Sequence, residues 1–181
     1  MYGGLEDRVR IVALNKIDLP DGQAMADMVE QELREKGYDV YPVSAASRAG
    51  LQDLIYAMGQ EIGRQCKELN LHVDFAPVVD VNVNPKNPVI NSRSFGENKY
   101  NVAQKGVAYM KGLQSVHVLA SAKHFPGHGD TDADSHLELP MLSHDKKRLD
   151  SIELYPFKAL IDSGIGSIMV AHLYITAYDN T

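Results

Sequence analysis

Short runs of β-branched and other apolar residues alternate with helical patterns along this chain, and that alternation predicts βα units around a parallel sheet. Five strands are expected: Arg10 to Asn15, Asp39 to Val43, His72 to Val79, Val116 to Ala122 and Ser167 to His172. Most are apolar throughout, as strands buried on both faces are. Helices are expected between them. Gln23 to Lys36 places Met25, Met28, Val29 and Leu33 on one face, with Gly37 just past its end, where a left-handed residue is favoured. Leu51 to Leu69 keeps Leu51, Leu54, Ile55, Met58, Ile62, Cys66 and Leu69 at helical spacing. Two further helices lie near Lys99 to Leu113 and Lys146 to Ser163, and Pro156 should kink or shorten the last.

Composition narrows the class. A chain of 181 residues that is 44% hydrophobic is long enough for one globular domain with a core. Its net charge of −6, spread without long runs, gives no electrostatic footprint for nucleic acid or an anionic membrane. The opening MYGGLEDRVR has no apolar signal region, and no segment reaches the roughly 18 apolar residues that span a bilayer. A soluble chain, cytoplasmic as expressed and without a signal peptide, is the expectation. The single cysteine, Cys66, cannot form an internal disulfide. No cofactor is expected.

In parallel sheets function gathers where strands end and lead into helices. The first such loop holds Asn15, Lys16 and Asp18, and the second holds Ser44 and Ala45. VALNKIDLPDG is similar to the guanine-reading NKxD motif of translational and ribosome-associated GTPases, and SAASRAGLQDL resembles their SA loop. Residues 1 to about 58 thus resemble the last third of an Obg-type G domain. A phosphate-cradling G-x-x-x-x-G-K-[ST] loop is absent from the sequence, as is a D-x-x-G switch, so GTP hydrolysis is not expected. Any guanine-nucleotide binding should be weak or absent, and a solvated turn closing each strand explains the same residues.

A second resemblance runs from about residue 57 to the end. DFAPVVDVNVNP, INSRSFG, KHFPGHGDTDADSH and LYPFKALIDSGIGSIMVAHL are similar to glycoside hydrolase family 3, in its β-N-acetylhexosaminidase branch. Independently of that likeness, the spacing Asp134-Ser135-His136 lets a carboxylate orient an imidazole and raise its pKa, a pair able to give and retake a proton near neutral pH. The resemblance implies that Asp134 and His136 are the acid–base dyad. It also implies that Asp80, Arg93, Lys123 and His124 grip the hydroxyls of an N-acetylglucosaminide-type sugar, and that the fold is the middle of a (β/α)₈ barrel. In that family the nucleophile is an Asp on a loop beyond SIMVAHL. The chain ends before such a motif, so weak or no hydrolysis is expected.

Metal ligation is the rival for this loop, since His124, His128 and His136 stand among Asp130, Asp132 and Asp134. Pro126-Gly127 between the first two histidines prevents their sharing a helix face, so no metal site is assigned. Two resemblances meeting inside one helix suggest a chimera, with a GTPase-derived segment at 1–58, a barrel-derived one at 59–181, and one structural domain. The expected architecture is an α/β fold with a five-stranded parallel sheet in flavodoxin-like order 2-1-3-4-5. The alternative is an open half barrel, whose uncovered lining face would suit a homodimer.

Overall fold

A computed structural model describes residues 10–132 and 139–178 of the chain. The elements in order are β1 (Ile11–Leu14), α1 (Pro20–Glu35), β2 (Asp39–Pro42), α2 (Leu51–Glu68), β3 (Val73–Asp74), α3 (Lys99–Ser115), β4 (Leu119–Phe125), β5 (Met141–Leu142), α4 (Lys146–Ser151), α5 (Leu154–Asp162), β6 (Ser167–Val170) and β7 (Tyr174–Ile175). This is an α/β fold in which every strand pair is parallel.

The strand order departs from expectation. Order 2-1-3-4-5 requires β1 beside β3, whereas among the described residues β1 pairs with β2 alone and a separate sheet runs β3-β4-β6. A third pair, β5-β7, lies outside the five expected strands. In the β3-β4-β6 sheet the strands follow chain order, as in the open-barrel alternative. Two local causes shorten β3 and shift β4. Pro77 has no N–H to give a ladder, so β3 stops at Asp74 and resumes only as a single bridge between Val78 and Lys123. Val116 and His117, expected to start a strand, instead cap α3. His117 adopts a left-handed φ of 63°, and the N–H of Val118 reaches back to Leu113 O at 3.3 Å.

Helix faces are also redrawn by packing. Gly37 sits past the end of α1 with φ 82°, and the N–H of Tyr38 donates to Leu33 O, closing the helix as its sequence predicts. Met25 and Met28, however, are exposed at 60% and 75%; Ala26 is buried there, with Val29 and Leu33 half-buried. In α2 the buried positions are Ala57, Gly59 and Gly63, while Met58 and Leu69 face solvent. A Cβ on Gly59 would come within 2.3 Å of Tyr109 O, and one on Gly112 within 2.1 Å of Tyr56 O. Small residues therefore let the backbones of α2 and α3 touch. The helix expected over Lys146 to Ser163 is two, α4 and α5. The break precedes Pro156, which has no N–H for the carbonyl of Ile152.

The core lies between the β3-β4-β6 sheet and helices α3 and α5. Val79, Val81, Val102, Met110, Leu113, Ala120, Ala122, Phe157 and Leu160 form one buried cluster. Phe125 at the end of β4 stacks edge-on against Phe157 with ring centroids 5.3 Å apart. No helix among the described residues is long and apolar enough to cross a membrane.

Candidate active site

The carboxyl ends of β3 and β4 carry most of the residues singled out from sequence. Asp80 follows the Val78–Lys123 bridge and is fully buried. Its carboxylate accepts the backbone N–H of His128 at 2.7 Å, that of His124 at 3.2 Å to each oxygen, and His124 Nδ1 at 2.7 Å. A buried carboxylate needs such donors, and these occupy the directions its lone pairs offer. The bond from Nδ1 to Asp80 fixes the orientation of the His124 ring.

Lys123 is half-buried beside them. Burial holds its amine below the usual lysine range; the Arg93 guanidinium pushes the same way, against the pull of Asp74 and Asp80. Arg93 is exposed on a 3₁₀ turn, Asn91–Arg93, and donates to Val89 O at 3.2 Å. The structure thus gathers Asp80, Arg93, Lys123 and His124 into one neighbourhood. Asp134 and His136 lie outside the described residues.

What holds this neighbourhood in place was not read from the sequence. Asn87, 1% exposed, donates from Nδ2 to His128 O at 2.7 Å, and its Oδ1 accepts the N–H groups of Val89 and Ile90. Thr131 Oγ1 meets His128 Nδ1 at 2.7 Å. Asn84 donates to Thr131 O and to Asp132 Oδ1. A Cβ on Gly129 would lie 2.1 Å from Val81 O, so the loop hugs the backbone after β3. The signal available in sequence was Asn84 and Asn87 within NPKNP, residues that turn the chain through their own side chains. As for metal ligation, His124 turns to Asp80 and the Nδ1 of His128 to Thr131. The one cluster of ligand-type groups among the described residues is Asp130, His144 and Glu153.

The loops after β1 and β2 also meet. Asn15 Oδ1 accepts the N–H of Lys16 at 2.8 Å and of Ala45 at 3.0 Å. Ser44 Oγ donates to Asp18 Oδ1 at 2.6 Å. A shallow groove of about 440 Å³ runs beside Leu14, Asn15, Lys16, Leu19 and Gly22.

Comparison with known proteins decides the family. The profile described as the glycosyl hydrolase family 3 N terminal domain matches residues 18–181. The chain belongs to glycosyl hydrolase family 3. It is 47% identical over 130 residues to beta-hexosaminidase A of Pseudoalteromonas piscicida, an alignment covering 70% of this chain and 22% of that protein. The solved family 3 beta-N-acetylglucosaminidase of Paenibacillus sp. superposes with a TM-score of 0.70 at 32% identity, covering 92% of this chain and 37% of that one. NagZ of Neisseria gonorrhoeae, solved in complex with N-trifluoroacetyl-D-glucosamine, gives a TM-score of 0.67 at 30% identity over 71% of this chain and 37% of that one. The chain therefore spans well under half the length of these relatives. The family 3 match starts at residue 18, well before the junction expected near 57–60, and these comparisons show neither a GTPase segment nor a chimera.

Proposed function

We propose that this chain binds a terminal N-acetylglucosamine-type sugar as part of a β-N-acetylglucosaminidase. The observation that carries the reading is the knot at the end of β4, where one buried carboxylate, Asp80, orients the His124 ring beside Lys123 and within the field of Arg93. An imidazole, an ammonium and a guanidinium in one neighbourhood offer multiple donors to vicinal hydroxyls, which gives orientation as well as affinity. Asp80 in this scheme fixes the ring and the loop, and the three basic groups meet the sugar. Asp134 and His136 follow on the same segment and supply the acid–base pair. His136 would give its proton to the leaving glycosidic oxygen, while Asp134 steadies the imidazolium. The nearness of family 3 enzymes named as hexosaminidases and N-acetylglucosaminidases supports this choice of sugar.

Binding and turnover are tested separately. Titration with N-acetylglucosamine should show saturable binding that Lys123→Met and His124→Ala weaken by roughly tenfold or more; affinity unchanged in both variants would remove the site from consideration. A chromogenic N-acetylglucosaminide tests the dyad, because any turnover that survives intact in His136→Ala excludes that histidine as the acid.

A second reading rests on the pairing of the loops after β1 and β2. Asn15 bracing Ala45 and Ser44 holding Asp18 is the arrangement a guanine base site would use, and the adjacent groove has room for a ring. Without a phosphate cradle its affinity would be millimolar at best. Calorimetry with GDP decides: tight, Mg²⁺-dependent binding would favour a GTPase-derived segment, and no heat at all leaves the loops as strand-closing turns.

A further inference from the structure

The cluster formed by Asp130, His144, Arg148 and Glu153 stands outside the sugar-binding set, and its geometry is that of a clamp. Arg148 Nη2 lies 3.0 Å from Glu153 Oε1 and 3.2 Å from Asp130 Oδ2, so one nitrogen bridges two carboxylates. His144 Nε2 meets the same Asp130 oxygen at 2.5 Å. Glu153 is 2% exposed, at the break between α4 and α5. The ligand atoms of Asp130, His144 and Glu153 all lie within 4.8 Å of one another, a spacing a small metal ion could span. That role is already taken by the guanidinium, which supplies the positive charge and donates to both carboxylates.

Each partner is anchored to a different part of the fold. Arg148 rides on α4, where Asp145 Oδ1 caps its backbone N–H at 2.7 Å and the next residue, Leu149, is fully buried. Glu153 leads into α5, whose Phe157 packs on the end of β4. Gly127 lies against the Glu153 side chain so closely that a Cβ there would come within 2.8 Å of it. Asp130 belongs to the loop whose His128 N–H is donated to Asp80. The path from α4 to the sugar-facing groups is therefore short: Arg148 to Asp130, Asp130 to His128 through the chain, and His128 to the carboxylate that orients His124.

We propose that Arg148 is a positioning residue for the sugar site: by bridging Glu153 and Asp130 it fixes the 127–132 loop and so keeps the His128 N–H on Asp80. The proposal rests on the sugar-site reading for its functional meaning and on the clamp geometry for its mechanism. Without the guanidinium, two neighbouring carboxylates, Glu153 buried and Asp130 partly exposed, lose their shared cation. Their repulsion then acts on the loop that carries Asp130 and strains the bond from the His128 N–H to Asp80. A lysine at this position keeps one cationic nitrogen, but as a strongly hydrated ammonium on a flexible stem it is held less firmly between the two carboxylates than the Arg148 Nη2 it replaces.

The test is amide hydrogen exchange combined with sugar titration on the whole chain. Arg148→Met should speed exchange of the His128 amide by roughly tenfold or more, with core amides of α3 such as Met110 unchanged, and should weaken N-acetylglucosamine binding by a comparable factor. Arg148→Lys should fall between the two. Where Arg148→Met does not fold, the double variant Arg148→Met/Glu153→Gln removes the unpaired charge, and the same exchange and titration are read on it. A His128 amide that exchanges as in the unmodified chain overturns the clamp. Faster exchange with unaltered sugar affinity overturns the positioning role. Should the unmodified chain bind no sugar, the sugar-site reading fails on its own, and the exchange result still decides whether Arg148 holds the loop.

Discussion

Two polar knots close strand ends in this molecule, and they use the same device at very different depths. In both, a side chain collects N–H groups at a strand end: the Asp80 carboxylate takes those of His124 and His128 from the adjacent strand's loop, and Asn15 Oδ1 takes that of Ala45 from the adjacent loop and that of Lys16 from its own. The first is fully buried over the apolar core, beside the side chains proposed to bind sugar. The second is exposed at the end of a two-stranded sheet, beside the buried Val43 and Ser44. A hydrogen bond that replaces one to water contributes little net stability, whereas a donor buried without a partner carries its full desolvation penalty. Depth, more than pattern, therefore separates an organising centre from a turn.

Removing each oxygen is the most direct way to break that comparison. Asp80→Ala leaves two backbone N–H groups and an imidazole facing a hole, and should cost about 3 kcal/mol or more in urea denaturation. Equal losses for Asp80→Ala and Asn15→Ala would show that burial is not what distinguishes the knots. The close approach of the 127–132 loop to the backbone after β3 predicts the next largest effect. Gly129→Ala should destabilise by about 1–3 kcal/mol and disturb the Asp80–His128 bond, which an amide shift would reveal. Asn15→Ala should lower stability by less than about 1 kcal/mol, since water takes over its partners.

The smallest effect concerns the ground beneath the buried knot. Burial raises the Asp74 carboxyl above the usual aspartate value, with Lys123 partly opposing it. A raised acid is stabilising when protonated, so its contribution is present below the unfolded-state pKa and is lost as pH rises through the folded value. Asp74→Asn does not titrate. Its melting temperature relative to the unmodified chain should therefore climb slightly from acid to neutral pH. A flat difference across that range would contradict an Asp74 carboxyl raised by partial burial. Tyr109, pushed up to about 12 by burial and by Asp74 and Cys66, should likewise resist ionisation in an ultraviolet titration until the chain begins to unfold.

Local signals in the sequence survive well where one residue dictates geometry. Gly37 ends α1 as expected, and Pro156 accompanies the break between α4 and α5. Periodicity misled where contacts are made by small residues. Met25, Met28 and Met58 complete an apolar stripe on paper, yet the buried positions are Ala26, Ala57, Gly59 and Gly63, because close helix packing needs the absence of a side chain. The apolar run Val116 to Ala122 gave no sign that His117 would turn left-handed and cap a helix. Asp80, Arg93, Lys123 and His124 were legible as a set from the likeness of their motifs to family 3. The bonds of Asn87 and His128 were not, since their partners lie far along the chain, and no local pattern marks the pairing of Arg148 with Asp130.

The sequence alone determined the βα alternation, the parallel pairing that short strands with helical connections impose, and the residue types gathered at the strand ends. Only the tertiary structure decided which strands lie side by side and which polar groups are buried. Strand order depends on how helices of particular widths pack across a sheet, and burial depends on everything that surrounds a residue; neither is a property of any stretch of chain taken by itself. Asp80 and Asn15 are each one polar residue after one apolar run. What sets the first apart is its full burial beside the core, with His124 and His128 bonded to it from the next strand's loop.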